Sequence, residues 1–311
     1  MPLLLQNESL QVPIEPALGA SWMGLRARVG DRWLSLMPEP GLDGCGLKAS
    51  SFIMAPYSNR IAEGSFRFAG VTHTLQNAAN HAIHGDVRKR PWTVLLATPT
   101  TIRLAFRSGQ HDGVNWPWPF DVEVTYTLDG PAFSSRLILT NRGETPMPAG
   151  LGFHPYLVRS PTRVGEPVVV QFTTTGTYPD ASGTRIPSGP ATLDPRADFS
   201  RPRELDPGEF HDFCACGYDG GGSVEWPESG VRVAFRASPT LGHLVFYNPA
   251  DPWFAFEPVS NANDGVNLLE RGDDTSGVTV LEPGESLGAA LELQVSHTTG
   301  HLRERGPDDQ L

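Results

Sequence analysis

Apolar residues recur at every second position through the middle of this 311-residue chain, and that beat leaves little room for helix. Val122, Val124, Tyr126 and Leu128 alternate with Glu123, Thr125 and Thr127. Successive side chains of a strand point to opposite faces, so the pattern describes strands with one face towards a core. Ile102, Leu104 and Phe106 keep the same beat just before. Ser135, Leu137 and Leu139 keep it just after, closing at Asn141-Arg142-Gly143. Three such segments in series read as a meander of antiparallel strands. Asp129-Gly130 marks a turn between two of them, although Pro131 leaves a tight two-residue hairpin open.

The same grammar returns in 168–172, in Val231, Val233 and Phe235, in 244–247, and in Leu291, Leu293 and Val295. The chain's 33 glycines and 29 prolines are spread along it rather than gathered into one block, which suits short strands and turns. Residues 179–207 are rich in Pro, Asp, Ser and Gly and read as a long excursion, not a linker, because strand grammar resumes after them. The expected fold class is all-β, a large antiparallel β-sandwich. It forms a single domain over residues 1–311, with a polar, frayed tail from about 299.

The formal net charge of −11 argues against nucleic-acid and anionic-membrane partners, since both present phosphates. Three cysteines, Cys45, Cys214 and Cys216, supply neither a disulfide framework nor enough ligands for a cysteine-rich zinc site. The first residues lack the basic segment and long apolar run of a signal peptide, and nothing approaches a membrane span. These features predict a cytoplasmic protein.

Five side chains stand out as carriers of chemistry. His154 lies in Leu151-Gly152-Phe153-His154-Pro155-Tyr156, where the following proline biases it towards extended backbone among aromatic walls. Arg60, in Ser58-Asn59-Arg60-Ile61, offers five fixed donors to hydroxyls or a carboxylate. His81 and His84 stand three apart in extended or loop surroundings. Such spacing on a strand points them to opposite faces, so a zinc pair is not expected, whereas one imidazole can both donate to and accept from a hydroxyl. Asp212 sits beside an otherwise apolar or small run, 213–217, and needs hydrogen bonds or a place at the core's edge. Glu257 follows Trp253-Phe254-Ala255-Phe256 and precedes Pro258, which places a carboxylate at a strand terminus beside apolar walls. Burial there would raise its pKa and nearby donors would lower it again, a mixed setting that suits a general base. Taken alone, each also has a structural reading, and for His154 and Arg60 that is the more ordinary one.

Taken in order, these blocks resemble the aldose 1-epimerase (galactose mutarotase-like) family over about residues 10 to 297. The resemblance is carried by Asn59-Arg60-Ile61 with Gly64-Ser65-Phe66, by His84-Gly85 with Pro91-Trp92, and by Gly152-Phe153-His154-Pro155-Tyr156. Asp212 with Tyr218-Asp219-Gly220, Glu257-Pro258 with Asp264 and Asn267, and Leu281-Glu282-Pro283-Gly284-Glu285 complete it. It implies the family's β-supersandwich and an isomerase that interconverts the α and β anomers of a hexose. In that reading Glu257 and His154 are the catalytic base and acid, Arg60, His84 and Asp212 hold sugar hydroxyls, and neither cofactor nor metal is required. Ala215 stands where the family often has a large aromatic. Some relatives act on hexose 6-phosphates, for which Arg88, Lys89 and Arg90 are a possible cradle. A glycosidase or lyase using Asp212 and Glu257, and a non-catalytic sugar-binding protein, are the competing readings.

Overall fold

Two-residue alternation is realised as antiparallel pairing on a large scale. The computed structural model describes residues 2–41, 46–76 and 81–298; Cys45, Asn80 and the tail from 299 lie outside the described residues. Among these residues nine strands form one sheet, in the order Arg203–Glu204, Val169–Phe172, Gly221–Trp226, Val231–Ala237, Ser286–His297, Ala132–Asn141, Phe120–Asp129, Thr101–Arg107 and Thr93–Ala97. The predicted meander is its right half. Val122, Val124, Tyr126 and Leu128 are buried, while Glu123, Thr125 and Thr127 are not. Asp129 pairs directly with Ala132, so Gly130-Pro131 is a two-residue turn after all. Gly130, at φ 51°, supplies the left-handed first position that such a turn needs, and proline suits the second.

A second sheet runs Gly176–Thr177, His211–Cys216, His243–Asn248, Trp253–Val259, Gly152–Phe153 and Ile53–Met54, with Tyr156–Val158 also paired to Trp253–Val259. The two sheets share one apolar cluster, in which Phe235, Leu293 and Val233 from the first meet Phe246, Phe254 and Phe256 from the second. This is the expected large antiparallel β-sandwich. Phe256 makes ring contacts with Phe172, Phe235 and Tyr218, its centroid 4.4 Å from that of Phe235. A smaller cluster of Met54, Tyr178, Cys214, Cys216, Val245 and Val259 covers part of the other face of the second sheet, and Leu268 of the helix Gly265–Glu270 joins it. Cys214 and Cys216 therefore pack, as free thiols. The excursion predicted at 179–207 is mostly bends and irregular backbone, with one 3-10 turn at Pro195–Ala197 and the short strand Arg203–Glu204.

Candidate active site

His154 and Glu257 are cross-strand neighbours, and the register shows why. Gly152 pairs with Val259, and Tyr156 pairs with Ala255, at one constant offset. That offset sets His154 opposite Glu257. Between the paired segments the ladder is interrupted, because both strands place a proline there. The amides of Phe256 and Ser260 donate to Pro155 and Leu151 at 3.1 and 2.8 Å. Amides two apart share a side of a strand, so the donor missing at Pro258 is the one that would have faced Phe153. Pro258 thus lies inside the strand Trp253–Val259, pairing with Leu244, instead of ending it after Glu257 as the sequence suggested. Gly152 is required by close approach. A Cβ there would lie 2.7 Å from Val259 Cγ1 and 3.0 Å from the Pro258 carbonyl oxygen.

Alternation then sorts the side chains of three strands. Asp212 pairs with Tyr247 and Val245 with Glu257, so Asp212, Val245, Tyr247 and Glu257 share the face turned away from the Phe254 and Phe256 core. His154 Nε2 lies 3.2 Å from Glu257 Oε1, and the two residues are only 4% and 2% exposed. His154 Nδ1 and Glu257 Oε2 have no hydrogen-bond partner among the described residues. Phe52 and Tyr156 flank the imidazole, with centroids 4.4 and 4.5 Å from it. The His154 amide donates to the Phe52 carbonyl at 3.1 Å.

His84 arrives from a separate loop, its ring edge-on to His154 with centroids 4.9 Å apart. Its backbone is left-handed at φ 63°, an uncommon state for a residue with a Cβ. The loop is pressed against the strand-end residue Ala55, which bridges to Gly85 and whose carbonyl accepts from the Asp86 amide at 2.9 Å. A Cβ on Gly85 would fall 2.0 Å from that carbonyl oxygen. His81 is elsewhere, its Nδ1 accepting from the Glu63 amide at 2.8 Å. The two histidines are thus separated, but by the course of the loop and not by strand alternation, since neither lies in a strand.

Arg60 is positioned by the segment after Glu257. Its carbonyl accepts from the Asp264 amide at 2.6 Å, and Asp264 Oδ1 accepts from the Ala62 amide at 3.0 Å. One step earlier, Ser58 Oγ donates to Asn261 Oδ1 at 2.8 Å. Asp212 is half-buried and ion-paired, its Oδ2 2.6 Å from Arg185 Nε, while Arg185 also holds Asp180 at 2.7 Å. Arg185 escaped the sequence reading. It sits at φ 66° within the polar excursion, its carbonyl held by Asn263 Nδ2 at 2.6 Å, and only an Asp-to-Arg spacing in a loop hints at it. The three basic residues at 88–90 do not form one cradle. Arg88 turns inward to His84, Lys89 is exposed, and Arg90 is bound by Asp86 at 2.7 Å and by the carbonyls of Asp112 and Gly113.

Burial dominates the electrostatics. It pushes the Glu257 carboxyl well above the ordinary carboxylate range; the Asp212 charge adds to the rise and Arg60 opposes it. Burial likewise lowers His154 to about 3, opposed by the residue's own backbone and with Arg88 and Arg60 lowering it further. His84 is held well below its usual value by burial, then by His154, Arg88 and Arg60. The ligating atoms of His84, His154 and Glu257 all lie within 4.8 Å of one another, a spacing that suits a metal ion. Arg88 Nη1, 3.1 Å from His84 Nδ1, sets a guanidinium charge against any cation placed there. What the arrangement offers instead is two proton-transfer groups side by side in a dry aromatic wall, rimmed by hydrogen-bonding side chains.

Known proteins share this frame. The family model for aldose 1-epimerase matches residues 4–294. The uncharacterized protein YphB of Escherichia coli (strain K12) is 26% identical over 281 residues, covering 85% of this chain and 90% of that protein. A galactose mutarotase-like protein from Clostridium acetobutylicum superposes with a TM-score of 0.79 at 17% identity, over 93% of each chain. A GalM/aldose epimerase homologue from C. elegans gives 0.79 at 18% identity, over 96% of this chain and 99% of that one. The sandwich, the order of the motifs and a family match along nearly the whole length agree, and this chain belongs to the aldose 1-epimerase family.

Proposed function

We propose that the chain is an aldose 1-epimerase that interconverts sugar anomers by acid–base ring opening at His154 and Glu257. The observation that carries the reading is the buried contact of 3.2 Å between His154 Nε2 and Glu257 Oε1, with the other polar atom of each group unpartnered among the described residues. Glu257, as carboxylate, takes the proton of the anomeric hydroxyl, while His154, as imidazolium, gives one to the ring oxygen. The bond from C1 to the ring oxygen breaks and the C1 carbonyl forms. Rotation about C1–C2 presents the other carbonyl face, and both protons return as the ring closes. Arg60, His84 and Asp212 hold hydroxyls, with Arg185 holding Asp212 in place.

Fresh α-D-glucose and α-D-galactose followed by polarimetry test this. Equilibration faster than in buffer, with no net consumption, is the expected result. Glu257→Gln and His154→Asn should each slow it by about 10²–10⁴-fold, the usual worth of one positioned proton transfer. If both variants match the parent, the assignment fails. Reducing ends released from an oligosaccharide would favour a glycosidase instead.

A further inference from the structure

Two imidazoles stand side by side at this site, and the proposed cycle needs a second proton on only one of them. His154 Nε2 lies against Glu257 Oε1. His84 has a different partner. Arg88 Nη1, 3.1 Å from His84 Nδ1, is the one hydrogen-bonding group that ring meets among the described residues. A guanidinium has five donors and no acceptor and keeps its charge, so Nδ1 must bring a lone pair to this contact. A neutral imidazole with a bare Nδ1 carries its proton on Nε2. Other ring nitrogens are met by backbone or carboxylate groups: His81 Nδ1 by the Glu63 amide, His154 Nε2 by Glu257, and His243 Nε2 by the Thr275 carbonyl.

The contact is held in place from several sides. Arg88 Cζ stands 5.2 Å from the Phe52 ring centroid, and that ring lies 5.3 Å from His84 and 4.4 Å from His154, so one aromatic ring backs all three groups. The loop is pinned before and after Arg88, by the Asp86 amide on the Ala55 carbonyl at 2.9 Å and by the Gly19 amide on the Arg90 carbonyl at 2.8 Å. A Cβ on Gly19 would fall 2.3 Å from the Arg88 carbonyl oxygen. No carboxylate ion-pairs with Arg88 among the described residues, so none draws it off His84. Two effects follow. The lone pair that could take a second proton is occupied by a cation's donor, and burial, His154, Arg88 and Arg60 all favour the uncharged ring. A charged donor at Nδ1 also polarises the ring and strengthens Nε2–H as a donor.

We propose that Arg88 is a positioning residue that acts through His84. It fixes the ring as the neutral Nε2–H tautomer, a donor to sugar oxygens that stays out of proton exchange, and so leaves His154 as the acid. The effect on turnover rests on the epimerase reading above, whereas the tautomer does not. Long-range proton–nitrogen correlation spectra of protein carrying isotope-labelled histidine distinguish a protonated from a bare ring nitrogen, and His84→Gln assigns the His84 signals by their loss. The parent should show a protonated Nε2 and a bare Nδ1 at His84. Arg88→Met should turn this into a mixture of tautomers, and Arg88→Lys, also a donor-only cation, should restore it. Polarimetry on α-D-glucose supplies a second reading. Arg88→Met should slow equilibration by about 3–10-fold, the worth of one hydrogen bond, chiefly in kcat. In a His84→Gln background the same substitution should cost less than about twofold, because its route is gone. A protonated Nδ1 in the parent, an unchanged tautomer in Arg88→Met, or an equal cost in both backgrounds overturns the proposal. The last of these would mean that Arg88 acts on the sugar directly. If no sugar is turned over, the epimerase reading falls and the spectra alone decide the tautomer.

Discussion

Glu257 and His154 share a proton inventory that matters more than either pKa. Carboxylate with imidazolium, and carboxylic acid with neutral imidazole, contain the same number of protons, so solution pH does not choose between them. Burial does, and it favours the uncharged form. That form accompanies the ring-opened sugar in the proposed cycle, so the site is biased towards its own intermediate. The same burial has a cost that pH exposes. The Glu257 pKa is raised on folding, so its contribution to stability is complete below the unfolded value of about 4.5 and is lost as pH climbs towards the folded value. His154 has the opposite sign: its folded value is about 3, so its contribution is complete above 6.5 and is lost as pH falls through that interval. Melting temperatures at about pH 5 and pH 8 isolate the carboxyl when parent and Glu257→Gln are compared, because the His154 change within that range is common to both. Relative to Glu257→Gln, which has no proton to release, the parent should lose stability as pH rises between them. An equally steep fall in the variant would clear Glu257 of this role.

Elements bring these residues together by register, and a broken strand is the device. Gly152, Pro155 and Pro258 make the break, and Gly152→Ala tests it. The new Cβ meets Val259 and the Pro258 backbone, so a loss of about 1–3 kcal/mol is expected from overpacking. Turnover should fall as well, because Gly152–Phe153 carries His154. Denaturant melts and polarimetry on one preparation check both; a fully stable, fully active variant would mean that the strand has room to spare. Much at this scale was legible beforehand. Alternation named the strands from Thr101 to Asn141, and the proline after His154 announced extended backbone, since both are local effects. The pairing of His154 with Glu257 was not local, and only likeness to a family suggested it. Pro258 misled because a proline inside a sheet is tolerated only where its missing donor faces a gap, and the gap was made by another segment. Arg185 left only a faint local trace, its spacing from Asp180: its other partner Asp212 lies on a separate strand, and its left-handed backbone has no glycine to mark it.

Across the whole molecule, one apolar cluster joins both sheets. Thermal unfolding is therefore expected as a single transition over the described sandwich, with Phe256→Ala lowering stability by about 3–5 kcal/mol because that ring contacts Phe235 of the opposite sheet. Two separate transitions by calorimetry would argue for independent units. The second sheet has the core on one side and the proposed site on the other, and the strand Trp253–Val259 is where the two meet. Phe254 and Phe256 point one way, Ala255 and Glu257 the other. A saturation scan along this strand should therefore read in alternating registers. Substitutions at Phe254 and Phe256 would deplete the amount of folded protein in the cell, while those at Ala255 and Glu257 would leave abundance nearer normal and silence the reaction. Phe254 and Phe256 would thus part from Ala255 and Glu257 by parity, within a strand whose seven positions are all buried.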